Sequence, residues 1–151
     1  EASFTQAAVN KAVENAEFET PATLVKREME DLLHRFEHNL AYQGLTLDKY
    51  LDYVKKSKEE VLEDFRPEAL KRVKTDLVLS NIAQTEKMEI TEEELNEKLQ
   101  ELAERYQQKN SAKLRETLES KGQLSSIKQA ILLEKASDFI KENTTPIEVE
   151  K

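Results

Sequence analysis

Residues 57–87 read "SKEEVLEDFRPEALKRVKTDLVLSNIAQTEK", and the course of this one stretch decides the fold. Ser57 and Glu60 stand at capping-box spacing, so a helix is predicted to open there. Pro67 lacks a backbone donor and collides with the turn before it, so the helix must kink or restart at that point. Beyond the proline, Val73 and Leu77 share one face, while Val78 and Ile82 fall roughly opposite. A helix that is apolar on two sides is normally packed on two sides. The stretch therefore predicts a helix at the centre of an all-helical body, with Leu77 and Val78 in its core.

The same grammar extends outward in both directions. Upstream, "SFTQAAVNKAVENA" places Phe4, Ala8, Ala12 and Ala16 at helical spacing. Thr20 is a candidate N-cap and Pro21 suits a first helical position, where its missing N–H costs nothing. The helix that follows carries the stripe Val25, Met29, Leu32, Leu33, Phe36 and Leu40, and is predicted to end near Tyr42 with Gly44 as its stop. "LTLDKYLDYV" gives a short helix through Leu47, Tyr50, Leu51 and Val54. Downstream, a short extended "MEI" leads to a second capping box, Thr91 to Glu94. The next helix has a narrow stripe of Leu95, Leu99, Leu102 and Tyr106. A thin partner with Leu114 and Leu118 is stopped by Gly122, and the two predict an antiparallel hairpin over 92–121 with a meagre seam. The last helix, through Ile127, Ile131, Leu132, Ala136, Phe139 and Ile140, is predicted to return to the body, and "TTPIEVEK" to be an extended polar tail.

Composition supports an all-α reading. Two glycines in 151 residues leave little turn material for a sheet, and good helix formers dominate. Only 38% of the chain is hydrophobic against 36% charged, too little apolar material for a tight ball, so an elongated or open arrangement of helices is expected. The net charge of −8 disfavours a nucleic-acid partner, which calls for a basic stripe. No cysteine is present for disulfides or thiol catalysis, and no 18-residue apolar run offers a membrane span. The chain opens at Glu1 without methionine or a secretory apolar stretch, which predicts a fragment or a processed chain.

One motif suggests an enzyme. His34-x-x-Glu37-His38 has the H-x-x-E-H order of inverted zinc peptidases, and histidines four apart on a helix can share a metal. At 100° per residue, however, both lie roughly 150–190° from the apolar stripe, on the solvent side, with no wall to hold a third ligand. The match is read as accidental, and no metal or cofactor is expected. Gly-rich phosphate loops, G-x-S-x-G and cysteine nucleophiles are absent from the sequence. Carboxylate pairs such as Glu59/Glu60 and Glu92/Glu93 read as solvated helix faces.

Two stretches go beyond helix grammar. "KAVENAEFETPATLVKREMEDLL" (11–33) resembles the phrase that opens the C-terminal domain of bacterial trigger factors, with Val13, Asn15, Ala16, Pro21, Leu24, Val25 and Glu28 at matching places. Residues 66–106 resemble the family's second phrase through Ala69, Arg72, Val73, Leu77, Val78, Leu79, Ile82, Ala83, Thr91, Glu93, Glu94, Leu95, Ala103 and Tyr106. The link 45–51 and the closing helix through Ala136 and Phe139 also fit. The family's ribosome-docking Gly-Phe-Arg-x-Gly-Lys signature and its Gly-rich isomerase domain are not in this sequence. The resemblance implies an ATP-independent, cytoplasmic chaperone domain over 1–151, built as an elongated helical body with protruding helical-hairpin arms, whose partners are unfolded or nascent polypeptides. It implies ribosome contact only through the family's N-terminal domain, and prolyl isomerase activity through another domain not matched here.

Within that reading, Leu102, Tyr106, Leu114 and Leu118 form the candidate client-binding patch. Tyr106 stands in the family's "A-x-x-Y" turn, and the alternative is that all four close the hairpin. Two other classes stay in view: the helical core of an extracytoplasmic SurA/parvulin-type chaperone, and a helical scaffold for one folded partner. Nothing in the sequence points to a membrane or directly to nucleic acid, and self-association is left open.

Overall fold

The computed structural model describes residues 2–105 and 111–144. These residues carry eight α-helices and no strand: α1 (Ala2–Asn15), α2 (Ala22–Tyr42), α3 (Leu47–Val54), α4 (Lys58–Asp64), α5 (Arg66–Thr85), α6 (Glu92–Arg105), α7 (Ser111–Ser120) and α8 (Leu124–Glu142). The all-α expectation is met. The chain divides into two compact units, one of Val13–Leu77 and the other of the described residues up to Ala12 and from Val78 on. The division falls inside α5, the helix whose two-sided apolar pattern set the prediction.

Helix ends follow local chemistry closely. Both predicted capping boxes are present. The Ser57 hydroxyl accepts from the Glu60 amide (3.1 Å) while Glu60 accepts from the Ser57 amide (2.7 Å), and Thr91 and Glu94 repeat the exchange at 3.2 and 2.8 Å. Pro67 does restart the helix: α4 closes at Phe65, and the proline sits in the first turn of α5, where its missing donor has no partner to lose. Thr20, in contrast, does not cap α2. Pro21 takes the N-cap place with an extended ψ of 123°, and its carbonyl accepts from Leu24 (3.1 Å) and Val25 (3.2 Å). The Thr20 hydroxyl is one residue too far back and is buried without a hydrogen-bond partner.

Three helices end in the same Schellman geometry. At α2 the Leu45 amide reaches the Leu40 carbonyl and Gly44 reaches Ala41; at α7 Gln123 reaches Leu118 and Gly122 reaches Glu119; at α5 Met88 reaches Ala83 and Lys87 reaches Gln84. The left-handed position is a glycine in the first two (φ 73° and 65°) and a lysine in the third (φ 49°). A side chain there costs about 1–2 kcal/mol. Lys55, after α3, shares the conformation at φ 55°.

In the unit of Val13–Leu77, α2 packs on α4 and on the start of α5. Val25, Met29, Leu32 and Ala69 are buried together, with Leu62 and Phe65 against them. The Phe36 ring meets Tyr50 edge-on (4.9 Å) and Phe65 (5.8 Å), joining α2 to α3 and to the α4–α5 corner. In the other unit, α6, α7 and α8 pack around Leu95, Leu99 and Ile131, supported by Ile90, Leu118, Leu124 and Ile127. The predicted α6–α7 pair therefore does not stand alone: α8 lies against both.

Two core expectations need correction. Val78 is buried, but Leu77 is only half-buried; Val73, Leu79, Ala69 and Ala83 are the other buried positions of α5. In α1, Ala8 of the predicted Phe4–Ala8–Ala12–Ala16 line is buried together with Val9 and Val13, while Phe4 and Ala12 are half-buried. In both cases the buried arc is broader than a one-residue-wide stripe.

Candidate polypeptide-binding surface

The most exposed large apolar side chains among the described residues are Phe18, Leu24, Tyr42, Leu45, Tyr53 and Leu70. All six belong to the unit of Val13–Leu77. Two dominate: Tyr42 is 82% exposed and Tyr53 87%. Tyr42 closes α2, and Tyr53 stands near the C-terminal end of the short α3 that follows the corner. Tyr42 is the last helical residue of α2, Leu45 follows the Gly44 stop, and Thr46 opens α3 by accepting from the Lys49 amide at 3.4 Å. Tyr50 of the short α3 turns inward onto Phe36, which fixes the helix and leaves Tyr53 on its outer side. The His38 ring lies 5.2 Å from that of Tyr42.

This corner offers no reaction chemistry. His34 and His38 are exposed, as the position of the stripe requires, and His34 Nδ1 is 3.2 Å from Glu37. Among the described residues no group of three metal-ligating side chains is brought together. What the surface can do is bury apolar groups partially and reversibly. A tyrosine presents a ring to an apolar partner while its hydroxyl stays in water, and partial burial of one such group contributes about 1–2 kcal/mol.

The residues singled out from the sequence lie elsewhere. Leu102 of α6 and Leu114 of α7 are half-buried, and Leu118 packs against the Leu95–Leu99–Ile131 core. Tyr106 lies outside the described residues. Polar contacts reinforce this packing. Arg115 of α7 reaches Glu92 (2.9 Å) and Asn96 (3.2 Å) of α6, and its guanidinium is held above its ordinary pKa by Glu92 first and Glu119 second. Lys135 of α8 donates to Glu94 (2.6 Å) and to the Glu89 carbonyl (2.8 Å). That bond, followed by the Thr91 amide, holds the Glu94 carboxyl below the usual range. Lys98 bridges Glu101 and Glu134, each at 2.9 Å.

Sequence reasoning missed Tyr42 and Tyr53, although the signal was present. At 100° per residue both fall roughly 100° or more from the centre of their helices' apolar stripes. An aromatic residue off its stripe is what an exposed apolar contact looks like in a sequence.

An all-helical chain with capped helices and uncovered aromatics is defined by its fold as a helical domain with exposed apolar side chains. The comparison with known proteins gives the family. The family model described as bacterial trigger factor protein C-terminus matches residues 1–142, and the chain belongs to that family. It is 39% identical over 143 residues to a trigger factor of Natranaerobius thermophilus, covering 95% of this chain and 32% of that protein. It is 48% identical over 100 residues to a trigger factor of Carboxydothermus hydrogenoformans, covering 66% of this chain and 23% of that one. The chain thus spans a third or less of the length of these relatives. A solved structure of trigger factor domains from Thermotoga maritima has a similar fold, with a TM-score of 0.65 at 18% identity, covering 94% of this chain and 84% of that one.

Proposed function

We propose that residues 1–151 form a chaperone domain that holds exposed apolar segments of unfolded or nascent polypeptides without nucleotide. The observation that carries this is the pair Tyr42 and Tyr53, left uncovered on a helical unit in which Phe36, Tyr50 and Phe65 are packed together. An exposed tyrosine ring offers apolar contact area to a partner while its hydroxyl remains solvated. The charged surroundings keep such a surface from associating with itself. Family membership favours the trigger-factor reading over a SurA/parvulin-type core or a scaffold for one folded partner. On the same reading the protein works in the cytoplasm and meets the ribosome through a segment other than the one matched here. Isomerase chemistry belongs likewise to sequence outside the match. Among the described residues no helix is long and apolar enough to cross a membrane.

The hairpin residues Leu102, Tyr106, Leu114 and Leu118 are a second part of the proposed surface, on the strength of the family resemblance at Tyr106. The test replaces Tyr42 and Tyr53 together with serine and measures suppression of aggregation of an unfolded client alongside helicity. Suppression should fall several-fold with helicity unchanged. Full suppression by the double variant would remove the α2–α3 corner from the binding surface.

A further inference from the structure

In the unit that contains α6–α8, a pocket of about 360 Å³ opens between the C-terminal end of α5, the link that follows it, and α8. Its size lies within the range of roughly 300–1,000 Å³ usual for ligand sites. The floor is apolar, made of buried Ala83 and half-buried Met88 and Leu132. On one side a hydrogen bond of 3.0 Å from Gln129 to the Ser80 hydroxyl ties α8 to α5. The remaining lining residues are Gln84, Lys87 and Glu89. Among the described residues, their side chains enter no hydrogen bond or ion pair. One cation, one carboxylate and one carboxamide thus border the same apolar floor, all three uncommitted.

Lys87 adds an independent pointer. It holds the left-handed position that Gly44 and Gly122 fill in the two equivalent helix ends. Glycine there would relieve the backbone, so lysine keeps a long polar side chain at the pocket against a cost in stability. Lys55 shares the strain, so strain alone does not locate a site; its coincidence with the pocket does.

The balance of groups selects the ligand. Lys87 and Glu89 offset each other, which suits neither a phosphate nor a metal ion. Carboxamide, hydroxyl, ammonium and carboxylate together offer both donors and acceptors, as a neutral peptide group requires. The apolar floor takes the side chain next to it. We infer that this pocket binds a short stretch of uncharged polypeptide main chain carrying one apolar side chain, as an anchoring point separate from the tyrosine surface. The inference rests on the chaperone reading and specifies how one part of a client is held.

The experiment titrates N-acetyl-leucinamide, and separately N-acetyl-leucine with its free carboxylate, into the isotope-labelled chain, following the side-chain amide resonances of Gln84 and Gln129. The blocked amide should give saturable shifts at both glutamines and bind more tightly than the free acid. Lys87→Gly should weaken its binding at least three-fold while raising the melting temperature, opposite signs that a merely structural lysine cannot produce. Gln129→Leu, which removes the amide and keeps the bulk, should weaken binding without unfolding the chain. Tighter binding of the acid, unchanged binding in Lys87→Gly, or shifts absent from both glutamines would each overturn the inference. Aggregation suppression measured on the same samples separates the two readings: if it persists without pocket binding, the pocket assignment fails and the chaperone reading stands. If suppression is absent in the parent chain, the chaperone reading itself falls.

Discussion

Leu77 and Val78 are neighbours in sequence and both aliphatic, yet the structure separates them. Val78 is 9% exposed, whereas Leu77 is half-buried and keeps part of its side chain in water. The cost of truncation follows the area withdrawn from water and the cavity left behind, not the size of the residue. Val78→Ala is expected to destabilise by about 2 kcal/mol, and Leu77→Ala by no more than that although it removes a larger group. Chemical denaturation of the two variants gives the comparison directly. A leucine variant weaker than the valine variant by 2 kcal/mol or more would restore Leu77 to the core. The same scale shows what alanine conceals. Ala69 and Ala136 are wholly buried and Ala103 nearly so. In a sequence an alanine reads as a helix former and says little about burial, because it suits an exposed face equally well.

At the scale of elements, most of the fold was legible. The capping boxes at Ser57 and Thr91, the glycine stops at 44 and 122 and the restart at Pro67 are local rules, decided within four or five residues, and each stands where the sequence put it. Partner choice was less legible. The seam of α6 looked thin because only α7 was counted as its neighbour, whereas α8 also lies along it. Long-range pairs such as Lys135 with Glu94, 41 positions apart, leave no trace in local periodicity. For the same reason the sequence placed Leu118 on a two-helix seam, whereas it packs against a cluster that Ile131 of α8 also joins. The Lys135 contact makes a prediction for pH. Glu94 has its carboxyl pKa depressed, by Lys135 first and by the Thr91 amide second. A depressed carboxylate contributes stability that is fully present above its unfolded-state pKa and is lost as pH falls through the folded value. The α6–α8 contact should therefore weaken on acidification through and below the ordinary glutamate range, and Glu94→Gln should flatten that part of the profile. Thermal melts of parent and variant at stepped pH decide it. Parallel profiles for the two proteins would show that the contact carries no pH dependence.

At the scale of the molecule, two clusters of buried apolar residues can be told apart among the described residues. One set of buried residues surrounds Met29, with Val25, Leu32 and Ala69; another surrounds Leu95, Leu99 and Ile131. The large exposed apolar residues are confined to the first unit, so the parts of the chain differ in what they present as well as in what holds them together. Stability in such a protein is not uniform, and opening free energies should follow the local core. Leu99→Ala, at a position 1% exposed, is expected to cost about 2–5 kcal/mol, and Met29→Ala, at 2%, a similar amount. The two losses should be felt in different places. Native-state hydrogen exchange, read amide by amide, should show Leu99→Ala lowering protection in α6, α7 and α8 while the amides of Val25–Leu40 keep most of theirs, and Met29→Ala doing the converse. Amides of α5, the helix in which the division falls, should respond in their first half to Met29→Ala and in their second half to Leu99→Ala. An equal loss of protection across all eight helices in either variant would mean that the chain opens as one cooperative body, and that its two cores are a feature of packing without energetic independence.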